Sequence, residues 1–216
     1  MINFPPQTEL VIFDMDGLLI DSEPYWKIAE KEVFGKHGLT LTDELLRQVM
    51  GYRLSEVVQH WYDYKPWPNP NLKQTETDIL ACVKALIIAN ANALPGVYQT
   101  LQYCQQQGYK IALASSSNME LINAVVEKLN IAHYFNLIWS AQYEAYGKPH
   151  PAIFLSVAQK LQVSPTNCVV FEDALNGVIA AKAARMYCIA VPEEISFNDA
   201  RFAIADVKIP SLLDIF

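Results

Sequence analysis

Residues 10–13 (Leu10, Val11, Ile12 and Phe13) form an unbroken apolar run rich in β-branched and aromatic types, the mark of a strand buried on both faces. The run stops at Asp14, and Gly17 supplies the backbone freedom for a sharp turn. Beyond Asp21 the apolar residues recur at helical spacing instead. That spacing predicts a helix capped by Asp21 or Ser22, tolerant of Pro24 near its start, that runs to about His37 and stops at Gly38. A second helix is predicted over 43–50, followed by the loop Gly51, Tyr52, Arg53. Ser55 then opens a third, over 56–64. Residues 65–71 carry Pro66, Pro68 and Pro70 and read as a break. Thr75 and Asp78 have the spacing of a capping box ahead of a fourth helix, on which Ile79, Val83, Leu86 and Ile87 share helical spacing.

From Leu94 onward strand and helix alternate. Helices over 97–107, near 120–129, over 152–161 and near 177–184 are interleaved with strands at 110–114, 137–140, 168–171 and 187–191, with a short strand at 206–208. Alternating units of this kind predict an α/β fold, a parallel sheet flanked by helices and joined by right-handed crossovers. The expected organisation is an α/β core of residues 1–20 and 92–216 with a helical cap of residues 21–91 inserted into it.

Composition narrows the function. A chain of 216 residues that is 52% hydrophobic has ample core, and a net charge of −7 without a basic cluster argues against nucleic acid as a partner. An anionic substrate would need a local positive site. The N-terminus (Met1-Ile2-Asn3-Phe4-Pro5-Pro6) lacks the basic and apolar regions of a signal peptide, and no apolar run is long enough to span a membrane. Cys82, Cys104, Cys168 and Cys188 are scattered; the last three fall in apolar surroundings and read as buried free thiols of a reducing cytoplasm. A soluble, cytoplasmic, monomeric protein is expected.

The candidate chemistry sits at strand ends. Asp14 and Asp16 follow the first strand, and two residues apart in extended backbone their carboxylates would point to one spot. Paired like charges call for a cation or a shared proton, and Mg²⁺ suits an all-oxygen site; Asp is also a common turn residue. Ser115 and Ser116 follow the second strand and offer hydroxyls and N–H groups before a helix, either as an anion site or as caps. Lys148, between Gly147 and Pro149, follows the third strand, and Glu172 and Asp173 follow the fourth. Singly, a solvated lysine or an acidic helix start would account for these residues. Together they converge on the carboxyl edge of one sheet, where such sheets open their binding crevice.

The order D-x-D-G-x-L, strand-then-Ser, Gly-Lys-Pro and Glu-Asp-x-x-x-Gly resembles the haloacid dehalogenase-like (HAD) hydrolase superfamily across essentially the whole chain, and the helical insert looks like its first type of cap. Leu94-Pro95-Gly96-Val97, Ala114-Ser115-Ser116-Ser117, Lys148-Pro149-His150-Pro151 and Ala183-Ala184-Arg185-Met186 are similar to the bacterial 2-deoxyglucose-6-phosphate (hexitol) phosphatases. So is the stretch from Asp199 to Lys208. The resemblance implies a Mg²⁺-dependent sugar-phosphate phosphatase working through an aspartyl phosphate. Asp14 would be the nucleophile and Asp16 the general acid and base. Asp14, Met15, Asp16, Ser115, Ser116 and Lys148 would hold the phosphoryl group. Asp14, Asp16 (through its carbonyl), Glu172 and Asp173 would hold the metal. Within the cap, Glu23, Trp26, Arg53, Trp61 and Trp67 are the candidates for contact with the sugar, weighed against burial in the cap's own core. A β-phosphoglucomutase-like mutase is the rival reading; those relatives carry a cap histidine at about the place of Trp26, and its absence favours hydrolysis. A dehalogenase and a non-catalytic sugar-phosphate-binding module are more distant alternatives.

Overall fold

In the computed structural model, which describes residues 4–216, the run Leu10–Phe13 (β1) is a central strand of a six-stranded parallel sheet. Residues 1–3 of the N-terminal reading lie outside the described residues. The other strands are β2 (Lys110–Ser115), β3 (Leu137–Ser140), β4 (Cys168–Glu172), β5 (Tyr187–Ala190) and β6 (Val207–Lys208), in the order β3-β2-β1-β4-β5-β6. β1 is hydrogen-bonded on both edges, Phe13 lying opposite Leu113 of β2 and Phe171 of β4. Its side chains alternate between two cores: Val11 and Phe13 enter one apolar cluster, Leu10 and Ile12 the other. That double burial is why the strand reads as continuously apolar.

Between β1 and Ala93 lie four helices without a strand among them: α1 (Glu23–Lys36), α2 (Asp43–Arg47), α3 (Leu54–Tyr64) and α4 (Leu72–Asn90). α5 (Val97–Gln106), α6 (Met119–Lys128), α7 (Ala152–Lys160) and α8 (Leu175–Ala183) flank the sheet. The helical segment leaves and re-enters through neighbouring chains. The Asp21 N–H donates to the Asn92 carbonyl (3.1 Å) and the Leu94 N–H to the Leu19 carbonyl (3.3 Å). Phe34, Trp61, Ile79, Val83 and Ile87 of this segment belong to the same apolar cluster as Val11 and Phe13.

Two local expectations are corrected. The second helix is one turn long, Asp43–Arg47, rather than reaching residue 50. The fourth starts earlier than Thr75 implies. Its cap is Asn71, whose side chain accepts from the Gln74 N–H (3.1 Å), while Thr75 lies inside the helix and donates to the Asn71 carbonyl (3.2 Å). The apolar register is unaffected, because Ile79, Val83 and Ile87 are buried.

Candidate functional site

Asp14 emerges from β1 with its backbone N–H bonded to the Phe171 carbonyl (3.1 Å), which fixes it beside the end of β4. There Glu172 closes β4 and Asp173 follows. The three carboxylates offer oxygens that all lie within 4.8 Å of one another, and all three are buried. Lys148 reaches in from the loop after β3, its Nζ donating to Asp14 Oδ1 (2.6 Å), Glu172 Oε1 (2.5 Å) and the Ala114 carbonyl (3.4 Å). Glu172 Oε2 in turn accepts from the Ala174 N–H (3.2 Å).

The glycines of the motifs make room for this cluster. Gly17, at φ +76°, lies against the Asp173 carboxylate, and Gly177 in α8 lies against that of Glu172; a Cβ at either position would overlap those oxygens. The spacing Glu-Asp-x-x-x-Gly thus has a steric reason. The helix that follows β4 passes so close to the carboxylate that only glycine fits.

One lysine faces three carboxylates, and two of them, Asp14 and Asp173, hold their protons more tightly than usual, chiefly through burial. Burial pushes the Asp14 carboxyl up to about 7 against the pull of Lys148, with Glu172 and Asp16 adding to the rise. Burial, then Glu172 and Asp14, hold Asp173 well above the usual carboxylate range. Burial works against the Lys148 ammonium, but Asp14 and Glu172 outweigh it and hold the group above the ordinary lysine value. Asp173 Oδ2 is buried without a hydrogen-bond partner among the described residues. An all-oxygen set with surplus negative charge and an orphaned carboxylate oxygen fits a hard divalent cation such as Mg²⁺. Asp14, Glu172 and Asp173 are the side chains that could hold it.

The Asp16 carboxylate stands outside this trio, against the expectation that both aspartates point to one spot. The strand ends at Phe13, so the period-two alternation does not continue through the turn. Oδ1 instead accepts from Ser22 Oγ (2.8 Å) and Trp26 Nε1 (3.0 Å), and Oδ2 from Ser117 Oγ (2.8 Å) and Ser115 Oγ (3.3 Å). Ser22 is therefore no side-chain cap for α1. The serines before α6 are likewise not its caps, because Asn118 accepts from the Leu121 N–H (3.0 Å) and leaves their hydroxyls for other work. The Ser116 hydroxyl donates to the Gly51 carbonyl (2.8 Å). The Met15 side chain is fully buried in the core and its carbonyl accepts from the Leu19 N–H (2.9 Å), which leaves its backbone N–H as the group that could meet a phosphoryl oxygen.

These groups form one wall of a cavity of about 440 Å³, and the helical segment forms the other. Glu23, Trp26 and Arg53 line it as expected. Trp61 and Trp67 do not; they are buried in the apolar core, Trp67 with His37 stacked on it at 4.6 Å. The Arg53 guanidinium bonds Glu56 (2.5 Å) and the Glu144 carbonyl (2.9 Å). With Ser116 on Gly51, and Asn176 Nδ2 on the Met50 carbonyl (3.1 Å), it docks residues 50–53 onto two loops of the sheet edge and the first turn of α8. Ser22, Ser117 and Glu30 were missed from the sequence. For Glu30 a signal existed, since it lies seven residues after Glu23 on the same helical face.

A family model described as haloacid dehalogenase-like hydrolase matches residues 8–185. This chain belongs to the haloacid dehalogenase-like hydrolases. It is an enzyme of that family, and it is 40% identical over 212 residues to hexitol phosphatase B of Escherichia coli strain K12, across 98% of this chain and 96% of that protein. It is also 31% identical to a phosphorylated carbohydrates phosphatase of Thermotoga maritima, across 96% of this chain and 97% of that one. Both likenesses support the sugar-phosphate phosphatase subgroup of the family. Among solved structures, a β-phosphoglucomutase from Clostridium difficile superposes with a TM-score of 0.86 at 26% identity, covering 97% of this chain and 93% of that one. Among the described residues no helix is long and apolar enough to cross a membrane.

Proposed function

We propose that this hydrolase is a Mg²⁺-dependent phosphatase of small sugar phosphates, namely hexose 6-phosphate, 2-deoxyglucose 6-phosphate or hexitol phosphate, acting in the cytoplasm through an aspartyl phosphate. The observation that carries it is the division of labour between two aspartates two residues apart. Asp14 is locked to Lys148 beside Glu172 and Asp173, while Asp16 is held apart by four side-chain donors. That separation supports a nucleophile in the charged nest and a proton carrier at its edge.

Asp14 attacks phosphorus, and the bond to the sugar oxygen breaks as Asp16 gives that oxygen its proton. Water then attacks the acyl phosphate, Asp16 takes the water proton, and Asp14 leaves phosphorus as phosphate departs. Ser115, the Ser116 N–H and Lys148 hold the phosphoryl oxygens as charge moves onto them. Mg²⁺, held by Asp14, Glu172, Asp173 and the Asp16 carbonyl, would offset the repulsion between a carboxylate and a phosphate dianion. The helical segment acts as the cap: it carries Glu23, Trp26 and Arg53 to the leaving-group side and excludes water from the seated substrate.

The mutase reading is less well supported. Trp26 meets Asp16 with an indole N–H, which donates but does not relay a proton, so nothing there prepares an intermediate for reuse. The test is phosphate release across a sugar-phosphate panel, with and without Mg²⁺, set against isomer formation from glucose 1-phosphate. Metal-dependent release from hexose or hexitol phosphates is expected. Isomer without free phosphate would overturn the assignment.

A further inference from the structure

α1 lines the cavity with Glu23, Trp26, Lys27 and Glu30, the i, i+3, i+4 and i+7 positions of one helical face. Three of these have visible partners: Glu23 and Lys27 pair at 3.1 Å, and Trp26 donates to Asp16. Glu30 does not. It is 8% exposed, and its Oε2 is buried with no hydrogen-bond partner among the described residues. A buried carboxyl oxygen left unpaired is costly, and the packing of α1 does not call for one, since Ala29, Val33 and Phe34 already bury its apolar side.

We propose that Glu30 is a specificity-determining residue that hydrogen-bonds the hydroxyls of the leaving group, an inference that rests on the sugar-phosphate reading of the site. Position supports it. At 1.5 Å of rise per residue, Glu30 lies about 6 Å along α1 beyond Trp26. Trp26 marks the proton-transfer end through Asp16, so a polyol extending from the scissile oxygen along the helix brings its far hydroxyls to Glu30. Chemistry supports it too. Burial, with Glu23 nearby, pushes the Glu30 carboxyl up to about 8, so at neutral pH it presents one O–H donor together with acceptor oxygens. A hydroxyl, which both gives and takes a hydrogen bond, complements that pair without the penalty of opposing charges. A site built this way discriminates sharply against leaving groups that lack the hydroxyl.

The test measures kcat and KM for the wild type, Glu30→Gln, Glu30→Ala and Glu30→Leu with Mg²⁺, on a hexitol phosphate, hexose 6-phosphates and p-nitrophenyl phosphate. The quantity read is the preference for each polyol phosphate over p-nitrophenyl phosphate in kcat/KM. It should fall about tenfold or more in Glu30→Ala, mainly through KM, and survive within about threefold in Glu30→Gln, which keeps a donor and an acceptor. Glu30→Leu repeats the loss without opening a cavity, and circular dichroism establishes that each variant is folded. An unchanged preference in both Ala and Leu variants, with the wild type active on polyol phosphates, overturns the role of Glu30 alone. A wild type that cleaves p-nitrophenyl phosphate but no polyol phosphate overturns the functional reading and the inference with it.

Discussion

On the sheet side of the cavity, Asp14, Lys148 and Glu172 are joined by contacts of 2.5 to 2.6 Å and are almost wholly buried. On the helical side, Glu30 Oε2 and Arg53 Nε are buried without partners among the described residues, while Trp26 and the Arg53 guanidinium reach across to Asp16 and the Glu144 carbonyl. The first wall is closed by Lys148, which ties Asp14 to Glu172 so that altering one member disturbs all, and its surplus negative charge is what a divalent cation would offset. The second has bonding capacity left over. Chemistry common to many substrates belongs on the closed wall, and choice among leaving groups belongs on the open one.

The sharpest break of this contrast is Asp14→Asn. It should lower turnover by about 10⁴-fold or more while the melting curve shows a folded protein, since the amide keeps the shape but not the nucleophile. Phosphate release at wild-type rates would remove the closed wall's chemical role.

Next comes Glu30 on the open wall. Its carboxyl lies at about 8 in the folded chain against an ordinary 4.5, so the native state holds the extra proton between those values. Stability contributed by this group is fully present below pH 4.5 and is lost as pH rises through 8. Glu30→Gln should therefore gain on the wild type by on the order of 3 kcal/mol between pH 5 and 8, read from denaturant melts. Parallel pH curves for the two proteins would show that Glu30 is ionised throughout.

Two glycines sharpen the same contrast. Gly177→Ala should cost about 1–3 kcal/mol and most of the activity, because its methyl would meet the Glu172 carboxylate. Gly35→Ala, on α1 with nothing within 4 Å of the added carbon, should stabilise by about 0.5–1 kcal/mol through helix propensity alone. Between them in size lies Ser117→Ala, which removes one of four donors to Asp16 and should lower kcat by about tenfold.

What was legible in the sequence follows from what local pattern encodes. The apolar run of β1 implies a strand buried on both faces, and the clusters entered by its alternate residues bear that out. Ile79, Val83 and Ile87 imply a helix with one buried side, and α4 has it. Motif spacing placed Asp14, Lys148, Glu172 and Asp173 together because each follows a strand, and parallel strands end at one edge. Hydroxyl direction was not legible. Ser22 precedes a helix as a cap would, yet its proton goes to Asp16; Thr75 has a capping spacing, yet Asn71 caps. Such choices depend on which acceptor the tertiary fold brings near, and no residue spacing records that. Trp61 and Trp67 illustrate the converse, since aromatic rings suited to a sugar were needed to fill the core.

The bonds from Asp21 to Asn92 and from Leu94 to Leu19 mean that some seventy residues join the sheet through a doorway one peptide wide. A transplant at that doorway needs only two cuts, side by side in space. Chimeras that graft the helices of one relative onto the strands of another would keep the hydrolytic engine and import a new taste in sugars, provided the shared apolar seam around Phe34 and Trp61 is transplanted with them.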